Sequence, residues 1–499
     1  MEFFSSLYMA FSVALEPENL LLCFLGCLVG TFVGVLPGLG PATALSLLLP
    51  MTFKLSSVQA IVMLGGIYYG AMYGGSTTSI LINVPGEAAS VVTCLDGYQM
   101  ARKGRAGPAL GIAAFGSFIA GTFGTVMIMV LAPPLVALAL KFGPPEFVGV
   151  IFLGLTLVTY LGSGSMVKSL IMATAGLLLS SVGIDIVAGQ ERFTLGIDAL
   201  ANGFEFVPVI MGLFGIAEVL VSIEKSMGER EILQNKITGF LPTRQDWKDS
   251  TGPIARGTVM GFLVGLVPGG GGTIASFLSY AIEKKVAIHP ESFGSGDIRG
   301  VAGPESANNS AAQGGFIPLL TLGIPCNSGL AILVGALMLH GVTPGPLLLA
   351  DHPRVFWAVV GSMYIGNVML LLLNLPLIGI WLKFLKIPYA ILCPFIFLFC
   401  LIGAYVAGNS IQDVYVMLLF GAVGYLMKKY GYEPAPFLLA FILGPVFENA
   451  LRQSLIISHG SPLIFLSRPI SAGLILIATF LLLSPFFLRR KKELIPRDI

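Results

Sequence analysis

Two copies of one pattern, G-x-x-x-G-x-x-P-G-x-G, interrupt long apolar stretches of the chain. The first copy covers residues 30–40 and the second covers residues 261–271, with Pro37 and Pro268 at an offset of 231 positions. Helix-breaking residues at membrane depth are tolerated only where the freed backbone is buried in protein or lines a wet cavity. Two corresponding breaks of this kind are typical of the binding site of a secondary transporter.

The chain is too apolar to cover itself with a water-facing surface. Of its 499 residues, 55% are hydrophobic and 11% are charged, whereas soluble domains carry about 25% charged residues. We therefore predict an all-α polytopic membrane protein with about 10–12 transmembrane segments. The net charge of +2 is spread along the sequence, so a nucleic-acid surface is excluded. The N-terminus has no basic region before its apolar stretch, and we interpret it as a first membrane helix.

One long polar stretch divides the chain into two apolar halves. Residues 1–223 form the first half, residues 224–256 a linker, and residues 257–499 the second half with additional helices. The linker is rich in lysine and arginine, which places it in the cytoplasm by the positive-inside rule. The basic segment 102–105 is expected on the same side, and the acidic N-terminus on the outside.

Further landmarks recur in the same order in both halves. Asn83-Val84-Pro85-Gly86 corresponds to Gly323-Ile324-Pro325-Cys326 at an offset of 240, and each follows a Gly-Gly pair. The equivalent flanks carry opposite charge, which implies opposite orientations in the membrane. We therefore predict two inverted-topology repeats with broken helices or re-entrant hairpins.

The breaks provide the groups that a carboxylate and a cation require. Freed helix N-termini present partial positive charge to an anion, while carbonyls and hydroxyls suit Na⁺. The predicted substrate-binding residues are glycines, prolines and small polar side chains at these breaks: Gly38, Gly40, Thr77, Thr78, Asn83, Pro85, Gly86, Gly269, Gly271, Asn308, Asn309, Pro325 and Ser328.

Glu305 is predicted to couple a cation, because an ionisable group at membrane depth is a functional candidate. Two alternatives stay open at this point. The small polar residues also permit close helix packing without any binding role. Glu305 and Glu87 also fit a wet hairpin tip or a helix cap, and Asp96 and Asp297 fit a solvated or paired surface role.

Neither an enzyme nor a cofactor or metal site is expected. Gly269–Thr273 lacks the Gly-Lys-Ser/Thr ending of a phosphate-binding loop. The four histidines are scattered, and no nucleophile–base pair is evident. All six cysteines are interpreted as small apolar packing residues.

Residues 83–104 closely resemble the signature of the TctA family, the large membrane subunits of tripartite tricarboxylate transporters. Similar second-half signatures are Pro304–Asn309, Leu322–Pro325, and His340-Gly341 before Pro344–Pro346. The resemblance covers roughly residues 20–450. The chain departs from the family after Pro325, where Cys326-Asn327-Ser328 stands in place of the usual Gly-Ser. This departure weakens any transfer of function to that segment.

The resemblance implies a multi-pass protein of the bacterial inner membrane that imports a carboxylate by symport with Na⁺ or H⁺. The solute is a tricarboxylate, a dicarboxylate or a related organic anion. The implied partners are a small four-helix membrane subunit, a periplasmic solute-binding protein and membrane lipid. A channel with paired re-entrant hairpins is the alternative. The sequence leaves open a homo-oligomer and an elevator motion of one half.

Overall fold

A computed structural model describes residues 2–36, 38–161, 165–185, 188–197, 200–224, 239, 241–384 and 389–492. Pro37 and most of the predicted linker's first half lie outside these ranges. The described chain is almost wholly helical, and eight of its helices are long and apolar enough to cross a membrane. Five shorter apolar helices accompany them. The prediction of an all-α polytopic membrane protein is therefore confirmed.

The first half contains α1 Glu2–Ala14, α2 Pro17–Val35, α3 Pro41–Leu48, α4 Ser57–Ile82, α5 Val91–Arg102, α6 Ala106–Ala139, α7 Pro144–Leu161, α8 Met166–Ser180, α9 Phe206–Ile210 and α10 Ala217–Glu224. A π-helical segment, Met211–Ile216, joins the last two. Short 3₁₀ turns occur at Leu49–Thr52 and Ala88–Ser90. The two-residue strands β1 Gly183–Ile184 and β2 Glu191–Arg192 pair antiparallel.

The second half contains α11 Arg244–Gly265, α12 Gly271–Val286, α13 Arg299–Gly314, α14 Phe316–Leu322, α15 Ser328–Leu339, α16 Leu348–Asp351, α17 Pro353–Asn374, α18 Ile378–Phe384, α19 Tyr389–Gly408, α20 Ile411–Lys429, α21 Pro434–Ile457, α22 Ile464–Ser467 and α23 Pro469–Lys492. A 3₁₀ turn at Pro290–Ser292 precedes α13. Helix α11 begins at Arg244, within the predicted linker of residues 224–256.

The chain forms two compact units. One comprises Met1–Ala137 and Glu205–Tyr430, and the other comprises Leu138–Phe204 and Gly431–Ile499. In the second unit, the strand pair is tied to α21 by an ion network in which Arg192 contacts Glu448 at 2.7 Å and Arg452 contacts Asp185 at 2.6 Å. All residues of the predicted site belong to the first unit. The boundaries of the sequence halves stay a prediction.

Helices α2 and α4 pack in parallel through glycines one turn apart. Gly26, Gly30 and Gly34 lie against Met63, Ile67 and Ala71 in turn. A Cβ at Gly30 would lie 2.4 Å from the Ile67 carbonyl oxygen, so the two backbones are in direct contact. Small residues allow this close approach of helices in lipid, where the hydrophobic effect does not drive helices together.

The second half repeats this packing in α11 and α13. Gly257, Gly261 and Gly265 lie against Gly303, Ala307 and Ala311. The order of the contacts again shows a parallel pair. In each half the chain must therefore reverse between the two helices, along α3 in the first half and α12 in the second. The second Pro-Gly pattern ends at the start of α12, and Gly40 of the first pattern directly precedes α3.

In each half the chain folds back after the second helix of the parallel pair, directly after α4 in the first half and after α14, which follows α13, in the second half. Asn83 ends α4 with φ 55°, and the next residues bring Gly86 against Gly75. In the second half Gly323, with φ 74°, ends α14, and Cys326 lies against Gly315. We call residues 83–87 the first fold-back and residues 323–327 the second fold-back. Their landmarks keep the offset of 240, so the repeated sequence adopts the same local structure twice.

Asp96 is fully buried, so its predicted surface role is wrong. Its Oδ1 accepts the amide N–H groups of Gly294, Gly296 and Asp297 at 2.7–2.9 Å, and its Oδ2 accepts the Tyr280 hydroxyl. Its partners are backbone amides some 200 positions away and not the basic residues close to Asp96 in the sequence. The carboxylate thus joins α5 to the loop before α13.

Asp297 is paired as predicted, because Arg299 donates to it at 2.6 Å. Burial acts to raise the pKa of Asp297, but hydrogen bonds from Arg299 and Ser292 outweigh burial and hold the pKa below its ordinary value. The carboxylate is therefore ionised at neutral pH and fixes the start of α13.

We predict that Asp96→Ala releases the loop at residues 294–297. Three backbone N–H groups would lose their acceptor, and each hydrogen bond to a charged group contributes about 1.5–3 kcal/mol. Hydrogen exchange at Gly294, Gly296 and Asp297 is expected to accelerate at least about 100-fold. Asp96→Asn is the control, because it retains Oδ1 as acceptor. Unchanged exchange in the alanine variant would contradict the assigned contact.

Candidate functional site

Three helix starts meet near the fold-backs. At the start of α12, a Cβ on Gly271 would lie 4.0 Å from Asn327, which caps α15. A Cβ on the adjacent Gly272 would lie 3.4 Å from Ala89, in the 3₁₀ turn before α5. Unpaired N–H groups at helix starts carry partial positive charge. Their convergence creates a place suited to an anionic group.

Two equivalent hydrogen bonds connect the halves at this point. Asn308 Nδ2 donates to Glu87 Oε1 at 2.7 Å, and Asn327 Nδ2 donates to the Tyr68 hydroxyl at 3.0 Å. The offset of 240 relates Glu87 to Asn327 and Tyr68 to Asn308. A contact in which each partner is exchanged for its equivalent is the signature of a two-fold relation. The two fold-backs are thus held by matching contacts from the opposite half.

Glu305 lies between the halves as an unpaired carboxylate. It is 1% exposed and accepts hydrogen bonds from Ser76 at 2.5 Å and from Thr93. Among the described residues, no lysine, arginine or histidine forms an ion pair with it. A buried carboxylate without a counter-charge is costly unless it binds a proton or a cation. Glu305 therefore has the chemistry that cation coupling requires.

A small polar cavity lies next to this carboxylate. Ser76, Thr77, Ser117 and Asn374 line it together with Tyr73 and apolar residues of α6. Asn309 Nδ2 donates to Ser117 at 2.7 Å, so the predicted residues Asn309 and Thr77 share one region with Ser76.

The remaining predicted residues hold the breaks and fold-backs in place. The Gly269 N–H donates to Cys326 at 3.0 Å, and Thr78 donates to the Val35 carbonyl at 2.9 Å. Gly38 is exposed beside Glu218, which pairs with Lys428. The others occupy helix ends and fold-backs: Gly40 before α3, exposed Asn83, half-buried Pro85, buried Gly86 and Pro325, and Ser328 at the start of α15. Their binding roles stay predictions.

Sequence reasoning missed Tyr68, Thr93 and the contact made by Asn327. Tyr68 is fully buried in an apolar stretch and Thr93 is one of many hydroxyls, so neither stands out. The signal that would have found two of them is the repeat itself. Adding 240 to Tyr68 and Glu87 gives Asn308 and Asn327, which pairs the four residues.

Comparison with known proteins identifies the family. Residues 20–439 match the tripartite tricarboxylate transporter TctA family. The chain belongs to the TctA family. An Agrobacterium vitis protein described as "Uncharacterized 52.8 kDa protein in TAR-I ttuC' 3'region" is 49% identical over 475 residues, 95% of this chain and 94% of that protein. A second, "Uncharacterized protein in TAR-II ttuC' 3'region", from the same organism, is 48% identical over 241 residues, 48% of this chain and all of that protein.

No solved structure matches this TctA protein. Family membership confirms the resemblance seen in residues 83–104 and assigns the chain to tricarboxylate transporter subunits. TctA proteins are a transporter family. Together with the eight apolar helices, membership makes the chain a multi-pass membrane protein.

Proposed function

We propose that this TctA protein imports a carboxylate across the bacterial inner membrane by symport with Na⁺ or H⁺. A periplasmic solute-binding protein delivers the solute, and a small four-helix membrane subunit completes the transporter. Tricarboxylates, dicarboxylates and related organic anions are the substrate class. Membership of a tripartite tricarboxylate transporter family supports this assignment.

The observation that carries the proposal is the position of Glu305. Its carboxylate is buried on α13 of the second half, and both hydroxyl donors come from the first half. Any movement that separates α13 from α4 and α5 breaks these bonds. Protonation or cation binding at Glu305 would then be linked to the relative position of the halves, which is the requirement for coupling.

An inverted relation between the halves is part of the proposal. Ser76 of α4 contacts Glu305 of α13, and a Cβ on Gly97 would lie 2.8 Å from Ile80 of α4 and 3.6 Å from Val301 of α13. This order of contacts supports an antiparallel arrangement of α4 and α13. Inverted repeats provide two equivalent arrangements, one open to each side of the membrane. The reciprocal bonds at the fold-backs support the same relation.

We infer that the solute carboxylate binds at the helix starts of α12 and α15. Gly271 and Ser328 supply backbone N–H groups there, and Gly271 leaves room for close approach. Asn309 adds a neutral amide that offers both a donor and an acceptor without a fixed charge. Neutral donors allow release of the solute as well as binding.

Uptake into proteoliposomes tests the proposal. Radiolabelled tri- and dicarboxylates are offered under separate Na⁺ and proton gradients, with and without the partner proteins. Accumulation that depends on one cation gradient and on an added binding protein is the expected result. Flux that ignores every cation gradient would instead favour the channel alternative.

A further inference from the structure

The two fold-backs differ in charge at equivalent positions. Glu87 of the first fold-back corresponds to Asn327 of the second. Asn327 is occupied as a helix cap, because its Oδ1 accepts the Leu330 N–H at 2.9 Å. The Glu87 carboxylate is half-buried and accepts a hydrogen bond from Asn308 Nδ2 at 2.7 Å. Among the described residues, no basic side chain forms an ion pair with Glu87.

An unsatisfied oxygen lies close to Glu87. Asn308 is 1% exposed, and its Oδ1 has no hydrogen-bond donor among the described residues. The Nδ2 group of the same side chain donates a hydrogen bond to Glu87. The Asn308 oxygen without a donor therefore lies close to the Glu87 carboxylate. A Cβ at Gly272 would lie 2.0 Å from Asn308 Oδ1, so glycine is required for the oxygen to occupy this position.

A buried oxygen without a hydrogen-bond donor is costly, and a cation and a solute carboxylate differ in whether they can satisfy it. A carboxylate has about four acceptor sites, and the contact with Asn308 uses one of those of Glu87. A hard cation satisfies several oxygen acceptors at once and supplies the missing positive charge. A solute carboxylate does neither, because its charge repels Glu87.

We propose that Glu87 and Asn308 Oδ1 form a Na⁺ site in the first fold-back, separate from Glu305. This inference rests on the proposed function, because it assigns one coupling ion to this site. The second fold-back, with Asn327 in place of the carboxylate, is its neutral counterpart and stays available to the solute. Glu87 is thus a determinant of which ion drives transport.

Na⁺ binding without solute tests the site directly. Thermal unfolding of the purified full-length protein is followed in detergent while NaCl replaces choline chloride at constant ionic strength and pH. Since a ligand that binds only the folded state raises the unfolding temperature, wild type is expected to show a saturable increase. Glu87→Gln is expected to weaken Na⁺ affinity at least about 10–100-fold, since changes in the groups that merely support a metal ligand already cost that much. Asn327→Asp is the matched control at the equivalent position and should retain the wild-type response.

The uptake assay separates this inference from the proposed function. Glu87→Gln should raise the Na⁺ concentration for half-maximal uptake about tenfold while the solute KM at saturating Na⁺ stays within about twofold. Asn327→Asp should raise the solute KM and leave the Na⁺ dependence unchanged. An undiminished Na⁺ response in a folded Glu87→Gln protein overturns the site, and so does a wild-type protein that responds to pH alone. Uptake without any cation dependence overturns the proposed function instead.

Discussion

Replacing Gly261 with alanine is expected to abolish both transport and stable assembly of the second helix pair. The new Cβ would lie 2.2 Å from the Ala307 carbonyl oxygen. That contact is with the backbone of a helix and not with a flexible side chain, so α11 and α13 must separate. Overpacking of a well-packed interior costs about 1–3 kcal/mol, and a backbone contact lies at or above the upper end.

Gly30→Ala is the equivalent change in the first half. Its Cβ would lie 2.4 Å from the Ile67 carbonyl oxygen, so this variant should lose transport and helix assembly in the same way. Gly473→Ala is the control, because nothing lies within 4 Å of a Cβ there. In a helix, alanine is favoured over glycine by about 1 kcal/mol, so the control should lose nothing. Uptake and unfolding temperature are measured for all three variants. Wild-type values in Gly261→Ala would mean that α11 and α13 do not touch as described.

The repeated landmarks could be predicted from the sequence because they depend on local chemistry. Proline removes a backbone donor and glycine alone adopts the left-handed conformation cheaply, so Pro-Gly patterns report a chain reversal wherever they stand. The fold-back at Gly323 is such a case, with φ 74°. Asn83 reaches the same conformation without glycine, which asparagine tolerates better than most residues. The expected likeness of the two halves is therefore visible at these turns.

The partners of the polar groups could not be predicted in the same way. Ser76 and Glu305 are 229 positions apart, and nothing local indicates which hydroxyl a buried carboxylate will contact. Asp96 shows the opposite error. Its basic neighbours in sequence suggested a surface pair, whereas its acceptor sites are filled by backbone amides of a distant loop. Almost every residue has a backbone N–H group, so the sequence does not indicate which of these groups will donate to a given carboxylate.

Glu305→Gln is expected to remove coupling while leaving solute binding in place. Glutamine has the size of glutamate and still accepts one hydroxyl bond, but it carries no charge and binds no proton. It therefore resembles permanently protonated glutamate. Concentrative uptake should fall at least about 100-fold, whereas exchange of external for internal solute, which needs no net cation movement, should persist.

Both activities are measured in the same proteoliposomes, so that retained exchange shows a folded protein. Glu283→Gln is the control. Glu283 is also buried in the same unit, but Arg256 donates to both of its oxygens at 2.6 and 2.8 Å, so it already has its counter-charge and no need of a cation. Its removal should leave coupled uptake within about threefold of wild type. Because the two glutamates share burial and differ in the presence of a basic partner, equal losses in both variants would assign the effect to burial alone. Loss confined to Glu305→Gln would assign coupling to Glu305, a buried carboxylate that no basic side chain among the described residues pairs with.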